Sequence, residues 1–350
     1  MQGVVVHTGQ HYDQSMSGSF FDSLGIGEPT FNLGVGSGSH ALQTAKIMTG
    51  FEDICQKENP DMVLVVGDVN STIAAGLVAK KLNIPLCHVE AGLRSRDRTM
   101  PEEINRLATD AISDLFFTTE KEGTENLLAE GQDPANVHFV GHVMIDNLFY
   151  ELSKLQNTTP SDLALSIKKR LPAKYICMTM HRPSNVDNEE SLGRLLRVIK
   201  DLSSIAPVVF PCHPRTMKNI EKFGMLSQLL LLTNTQEYLT EGIYSMPPLG
   251  YSDFLYLWKD ACLMLTDSGG LQEETTALKI PCITMRENTE RPITVEVGSN
   301  VLVGTDAEKI IILGKKAISG EWKKSSIPDL WDGCASQRII DILNKTMFDK

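Results

Sequence analysis

The sequence predicts an α/β protein built from two Rossmann-like domains, each with a parallel sheet, on three observations. The chain has 350 residues, which is longer than an ordinary single domain. Short apolar runs bounded by polar turns alternate with amphipathic stretches, the pattern of repeated βαβ units. A polar segment over 149–174 separates two such series. We therefore place the first domain at 1–165 and the second at 166–350.

The first domain contains five apolar runs predicted as strands and three amphipathic stretches predicted as helices. The strands are 3–7, 62–66, 86–89, 115–118 and 137–140, and the helices are 41–57, 72–82 and 102–111. A doubly wound domain normally opens with a strand that leads directly into a phosphate-binding turn. Here the first strand is followed by a polar segment without a glycine-rich phosphate loop. It therefore resembles the second strand of such a domain.

The second domain repeats the rhythm with five further apolar runs. They lie at 175–180, 208–211, 229–232, 263–266 and 282–285. Ligands of parallel α/β folds bind at the carboxyl ends of the strands, so we expect a cleft between the carboxyl edges of two sheets. Residues that directly follow the strands are accordingly the first candidates for function.

The composition limits the class of protein and its partners. Hydrophobic residues make up 42% and charged residues 22%, as in soluble globular proteins. No apolar run approaches the roughly 20 residues of a membrane span, and we expect no signal peptide. Seven cysteines without a CxxC pair exclude a disulfide framework and a zinc site, which indicates the cytoplasm. The net charge of −11 argues against nucleic acid as a partner but leaves an anionic small ligand open.

The strongest local signal is the motif DSGGLQEE from Asp267 to Glu274, at the end of the strand 263–266. The glycines Gly269 and Gly270 permit close backbone approach, and the free amides of a helix start attract anions. Glu274 lies one to two turns into that helix, within reach of a pair of sugar hydroxyls. The alternative is an ordinary strand-to-helix turn with Ser268 as its N-cap.

Three carboxylates are candidates for acid–base chemistry. Asp68 follows the strand 62–66, although it could simply cap the next helix. Glu90 follows the strand 86–89 directly, and we interpret it as functional. Glu102 and Glu103 follow Pro101 in the first turn of a helix, where acidic residues also favour the helix dipole. For Glu103 that structural interpretation is preferred.

Two histidines and an arginine complete the candidate set. His181 and His213 each end a predicted strand and each precede an arginine closely, so they could bind phosphate oxygens. A structural role is the alternative for each, and metal binding is disfavoured because no HxxxH spacing accompanies them. Arg291, fixed before a proline, indicates either a ligand clamp or a surface salt-bridge loop.

Taken in order, these motifs resemble those of the non-hydrolysing UDP-N-acetylglucosamine 2-epimerases, from about residue 8 to the end of the chain. The matching blocks are Gly67-Asp68, HVEAGLR at 88–94, PEEINR at 101–106, TMHR at 179–182, DSGGLQEE at 267–274 and TERP at 289–292. The resemblance implies a GT-B-like fold, a UDP-sugar substrate, no metal or redox cofactor, and a homodimer. It also implies that the reaction product is a precursor for cell-surface polysaccharide.

The resemblance further implies a role for each candidate residue. Ser268, Gly269 and Gly270 would contact the diphosphate, Glu274 the ribose and Phe254 the uridine, while His181 and Arg291 approach the phosphates. Asp68, Glu90 and Glu102 match the acidic catalytic residues, and His213 matches a second cleft histidine. The family's route is elimination of UDP to 2-acetamidoglucal followed by re-addition after protonation from the opposite face. The C2 proton is not acidic, because no carbonyl group is adjacent to it, so simple deprotonation and reprotonation would be slow. Elimination of UDP provides a different route.

Two departures from the family pattern shape further expectations. The family's opening strand and Gly-Arg-Pro loop have no counterpart before Thr8, so we expect a less stable N-terminal half with little epimerase activity. Gln10 and His11 match an allosteric UDP-GlcNAc site of some members, but 36–44 lacks the accompanying arginine, which argues against allosteric control.

Three alternatives remain open on the sequence. They are a hydrolysing 2-epimerase, a GT-B glycosyltransferase, and a nucleotide-binding remnant without turnover. The acidic set of Asp68, Glu90 and Glu102 argues against the glycosyltransferase.

Overall fold

The computed structural model describes residues 2–9, 27–232 and 237–348. Gln10 and His11, on which the expectation about allosteric control depends, lie outside these ranges. The chain divides into two compact units. The first comprises Met1–Asp146 together with Asp329–Lys350, and the second comprises Asn147–Pro328.

Strands and helices alternate through the described residues. The strands are β1 Val6–His7, β2 Phe31–Asn32, β3 Val63–Val66, β4 Leu86–Val89, β5 Leu115–Thr118, β6 Val137–Phe139, β7 Ile176–Met178, β8 Val208–Pro211, β9 Leu230–Leu231, β10 Ile243–Met246, β11 Leu263–Thr266, β12 Cys282–Thr284 and β13 Asn300–Leu302. The helices are α1 His40–Glu58, α2 Asn70–Lys81, α3 Pro101–Ile112, α4 Lys121–Ala129, α5 Val143–Asn157, α6 Asp162–Arg170, α7 Pro183–Val186, α8 Glu189–Ser203, α9 Pro214–Lys222, α10 Tyr251–Trp258, α11 Gly269–Ala277, α12 Pro292–Glu296, α13 Ala307–Ser319 and α14 Ala335–Phe348.

All described strand pairs are parallel, as the βαβ rhythm predicts. In the first unit β1 pairs with β2, and a second sheet has the order β3-β4-β5-β6. The second unit has one seven-stranded sheet in the order β13-β12-β11-β7-β8-β10-β9. The carboxyl ends of the strands in each sheet therefore lie along one edge, where the candidate residues are concentrated.

The second unit has a large apolar core on one face of its sheet. Strand residues such as Ile176, Val208 and Leu263 are fully buried there together with Leu195 and Ile199 of α8. A parallel sheet covered in this way holds the ends of its strands in fixed positions. The loops that follow β7, β8 and β11 therefore start from rigid supports.

The division between the units differs from the sequence prediction of a boundary at 165/166 with the second domain running to 350. The second unit begins at Asn147, and residues from Asp329 onward belong to the first unit. The reason is that α14 packs Ile339 and Leu343 against Cys87, Val89 and other buried residues of β4 and β5. Burial of that apolar face stabilises the first sheet, although its helix is distant in sequence.

The segment 149–174, predicted as a polar junction, is largely helical. Helix α5 buries Leu148, and α6 buries Ala164 and Ile167. Ser161 caps α6 by accepting a hydrogen bond from the Ala164 amide. The polar residues that suggested a linker therefore lie mainly on the outer faces of two amphipathic helices.

Two further features bear on the class of protein. The helices in the described ranges are all too short or too polar to cross a membrane. The seven cysteines of the sequence all fall within the described residues, and each is a free thiol.

Candidate active site

The acidic residues Asp68 and Glu90 follow two neighbouring strands of the first unit. Strands β3 and β4 are paired in register, with Val66 opposite Val89. Asp68 lies two residues beyond the first strand end and Glu90 one residue beyond the second. The Gly67 amide donates a hydrogen bond to the Val89 carbonyl at 3.0 Å, which joins the two turns. Both carboxylates therefore lie at the same edge of the sheet.

Glu90 has a left-handed backbone conformation, with φ of 67°. This conformation is costly for a residue with a side chain and is concentrated at functional sites. Gly92 follows with φ of 80°, and a Cβ there would lie 2.1 Å from the Gly123 carbonyl oxygen. The turn is thus tightly determined, and it presents a carboxylate where a glycine would be easier to accommodate.

Helix α3 brings Glu102 to the same edge. Asn105 donates a hydrogen bond to the Asp68 carbonyl at 2.8 Å, and the Arg106 guanidinium lies 3.5 Å from the Asp68 carboxylate. Glu102 is partly exposed in the first turn of this helix. Its neighbour Glu103 is buried and has a structural role, since it accepts hydrogen bonds from the backbone amides of 95 and 96.

In the second unit the Ser-Gly-Gly turn forms an open helix start. Ser268 occupies the N-cap of α11, but its hydroxyl makes no capping hydrogen bond among the described residues. A Cβ added at Gly269 or Gly270 would meet no atom within 4 Å. Free amides with open space beside them, at the positive end of a helix dipole, are suited to binding an anion.

The turn is connected to His181 through the buried Asp267. Its carboxylate accepts hydrogen bonds from the His181 and Arg182 amides and from the Asn185 side chain, and it lies 3.0 Å from His181 Nδ1. Burial opposes ionisation, but the His181 and backbone hydrogen bonds outweigh it and lower the pKa of Asp267. The ionised carboxylate fixes the imidazole with Nε2 directed away from it, and 43% of the His181 side chain is exposed.

His213 lies beside His181, with ring centroids 5.8 Å apart. Its Nδ1 accepts a hydrogen bond from the Arg215 amide at 3.2 Å, so the proton of the neutral ring is on Nε2. Burial and the neighbouring charges of His181 and Arg215 lower the pKa of His213. At neutral pH the ring is therefore neutral and carries its N–H donor at Nε2. The structure thus brings the two predicted histidines together.

Glu274 is buried and accepts a hydrogen bond from the Tyr251 hydroxyl at 2.7 Å. Burial and the charge of Glu274 raise the pKa of Tyr251, so the phenol keeps its proton. Phe254 lies one turn further along the same helix, α10, and is partly exposed. The predicted ribose and uridine residues are therefore presented by α11 and α10.

Arg291 forms an ion pair with Glu273 of α11, with Nε 2.5 Å from the carboxylate, and both side chains are largely buried. The alternative of a surface salt-bridge loop does not fit this burial. Nearby, burial opposes ionisation of Glu290, but hydrogen bonds from Arg286 lower its pKa to about 2. Arg182 lies 3.9 Å from the same carboxylate. Arg182 Nε also donates a hydrogen bond to the Asp267 carbonyl at 3.2 Å, so this arginine lies beside the start of the Ser-Gly-Gly turn.

Asp267 and Tyr251 are not among the candidate residues predicted from the sequence. Asp267 directly follows a buried strand inside the DSGG motif, and this position could have identified it. Tyr251 lies three residues before Phe254 on one helix face, but its contact with Glu274 joins residues 23 apart. A pattern within one element does not reveal such a contact.

These features are typical of nucleotide-binding α/β proteins, in which a helix start faces a phosphate group. A family model for UDP-N-acetylglucosamine 2-epimerase matches residues 1–344. The chain belongs to the UDP-N-acetylglucosamine 2-epimerase family and is an isomerase.

Individual relatives agree with this family. The UDP-N-acetylglucosamine 2-epimerase of Methanocaldococcus jannaschii is 41% identical over 97% of this chain and 90% of its own length. The UDP-2,3-diacetamido-2,3-dideoxy-D-glucuronate 2-epimerase of Pseudomonas aeruginosa is 37% identical over 98% and 91%.

Solved structures agree as well. The crystal structure of the Methanocaldococcus jannaschii enzyme in complex with UDP-GlcNAc and UDP has a TM-score of 0.81 at 40% identity, covering 97% of this chain and 91% of that one. The Neisseria meningitidis enzyme bound to UDP-GlcNAc has a TM-score of 0.82 at 28% identity, covering 98% and 92%. The predicted α/β fold of the GT-B type is confirmed, and family membership removes the glycosyltransferase alternative.

Proposed function

We propose that this protein interconverts UDP-N-acetylglucosamine and UDP-N-acetylmannosamine by eliminating and re-adding UDP. The open helix start at Gly269 and Gly270 carries this proposal, because it offers amides to a diphosphate without obstruction. The Methanocaldococcus jannaschii relative is named UDP-N-acetylglucosamine 2-epimerase, and the crystal structures of that enzyme and of the Neisseria meningitidis enzyme contain UDP-GlcNAc.

The second unit holds UDP in this proposal. The amides of Gly269 and Gly270 and the side-chain hydroxyl of Ser268 bind the diphosphate, whereas the Ser268 amide donates to the Thr266 hydroxyl. The Glu274 carboxylate, oriented by Tyr251, accepts hydrogen bonds from the ribose hydroxyls. Phe254 lines the uracil site. Cationic and hydrogen-bonding groups for the phosphate oxygens are provided by His181, His213 and Arg291.

The first unit supplies the carboxylates of the reaction. In the elimination a base removes the C2 proton, the C1–C2 double bond forms, and the C1–O bond breaks to release UDP. In the re-addition C2 is protonated from the opposite face and a UDP oxygen bonds to C1. We assign proton transfer and stabilisation of the positive charge at C1 to Asp68, Glu90 and Glu102. Hydrogen-bond donors on the departing diphosphate lower the barrier further.

The activity is tested by following UDP-GlcNAc in D₂O by ¹H NMR. The proposal predicts UDP-ManNAc, with deuterium at C2 of both sugars. Free N-acetylmannosamine and UDP as the only products would instead identify a hydrolysing 2-epimerase. UDP binding without any conversion would identify a nucleotide-binding remnant. Because one relative is named for a diacetamido glucuronate, that UDP-sugar is assayed beside UDP-GlcNAc.

Gly269→Val is expected to weaken UDP binding by about 1–3 kcal/mol, the scale of losing hydrogen bonds to a charged group. The valine has open space in the protein itself, so the loss arises from blocked approach of the phosphate. Isothermal titration calorimetry with UDP measures the effect. Gly27→Val, at an equally open glycine of the first unit, is the control and should bind UDP normally. Equal affinities in the two variants would remove the Ser-Gly-Gly turn from the site.

We also propose that the enzyme is a cytoplasmic homodimer that supplies precursors for cell-surface polysaccharide. The family resemblance supports the dimer and the role in polysaccharide synthesis. The seven free thiols, six of them buried or partly buried, support a reducing compartment such as the cytoplasm. Light scattering coupled to size-exclusion chromatography tests the dimer, and a monomer mass at micromolar concentration would contradict it.

A further inference from the structure

A buried group of charged side chains lies directly behind the two turns that carry Asp68 and Glu90. Its centre is His88 of β4, whose side chain is 0% exposed. The ring Nδ1 lies 2.6 Å from the Asp110 carboxylate, and Nε2 lies 2.9 Å from the Gly67 carbonyl oxygen. Both ring nitrogens therefore face oxygen atoms.

The partners of the ring determine its protonation. The Gly67 carbonyl only accepts hydrogen bonds, so Nε2 carries a proton. The other oxygen of Asp110 accepts the Gly92 amide at 3.1 Å and lies 2.7 Å from the Arg94 guanidinium. These two donors keep Asp110 ionised, so Nδ1 must carry a proton as well.

The cluster anchors both turns. The Gly67 carbonyl held by His88 immediately precedes Asp68, and the Gly92 amide held by Asp110 follows Glu90 by two residues. We infer that His88 is a doubly protonated imidazolium and that His88 and Asp110 form a positioning pair, which fixes the turns that carry Asp68 and Glu90. This inference rests on the proposed function for the roles of those two carboxylates.

Asp110→Asn tests the pair. Asparagine keeps the shape but replaces one acceptor oxygen by an NH₂ group, which would face the ring and leave a neutral His88. We expect kcat to fall about 10- to 100-fold with KM and UDP affinity unchanged, the effect of misplaced catalytic groups. The control is Asp114→Asn. Asp114 anchors the Leu86 amide at the other end of β4, so its replacement should leave kcat near the wild-type value.

The protonation state is measured by NMR on protein labelled with ¹⁵N-histidine, with the His88 signals assigned by their loss in His88→Gln. We expect two protonated ring nitrogens in the wild type and one in Asp110→Asn. A single protonated nitrogen in the wild type, or wild-type kcat in Asp110→Asn, would overturn the inference. A wild type that forms no UDP-ManNAc would overturn the proposed function instead, and the NMR result would still decide the charge of His88.

Discussion

Glu90→Gln is expected to lower the turnover of UDP-GlcNAc about 100-fold or more while UDP affinity stays unchanged. The amide keeps the size of the side chain but can neither accept the C2 proton nor stabilise positive charge at C1. The proposed nucleotide site lies wholly in the second unit, so calorimetry should detect no change in UDP binding. Turnover is followed by ¹H NMR.

The control for this variant is Glu125→Gln, at an exposed glutamate of α4 in the same unit. It removes the same charge without altering the turn after β4, so its turnover should match the wild type. Activity of Glu90→Gln within a few-fold of this control would remove Glu90 from the catalytic group.

Asp267→Asn is expected to reduce the free energy of unfolding by about 2–4 kcal/mol, the range for breaking a buried charged network. Asp267 accepts hydrogen bonds from two backbone amides and Asn185 and contacts the His181 ring. The asparagine NH₂ group cannot accept any of them. Turnover should also fall, because His181 loses the group that orients it. Urea unfolding at pH 7 measures the change in stability.

The pH dependence of this effect follows from the lowered pKa of Asp267. Its stabilising contribution is fully present above the unfolded value of about 3.9 and is lost as the pH falls through the lower folded value. The difference in stability between the wild type and Asp267→Asn should therefore narrow in acid. Asp306→Asn, at the exposed N-cap of α13, is the control, and its effect should be much smaller because asparagine is also a good N-cap. Equal stabilities of Asp267→Asn and the wild type would contradict the network.

Strands with continuous apolar runs were predicted well because their pattern is local. Strands β4, β5, β8 and β11 have the predicted bounds. Strand β10 was missed, since its run from Ile243 to Met246 includes a serine and lies among polar turns. The two-residue β2 and the β13 run, which begins with Asn300, also give too weak a pattern.

The sequence also did not predict that the C-terminal helix α14 belongs to the first unit, and the reason is different. Helix α14 is amphipathic by itself, but nothing in its own residues indicates that Ile339 and Leu343 cover β4 and β5 of the first unit. The apolar face of an isolated helix shows that a partner exists without showing which one.

The residues of the candidate site also fall into two groups, those that a local pattern predicts and those that it does not. Asp68 and Glu90 in one sheet and His181 in the other were predicted as candidates because a parallel sheet collects the residues that follow its strands at one edge. The role of Asp267 depends on hydrogen bonds to residues more than 80 positions earlier, and that of His88 on a contact with Asp110 one helix later. Such roles follow from tertiary contacts, which no local motif specifies.

With the catalytic role proposed for Glu90, its left-handed backbone sets activity against stability at one position. Glycine adopts this conformation without strain and asparagine tolerates it better than glutamate, so either would relieve the turn. Neither would supply a carboxylate. Selection for thermal resistance alone would therefore favour exchange at position 90, whereas selection for turnover would retain the strained glutamate. Stabilising substitutions in this enzyme are best sought away from the turns that end β3 and β4.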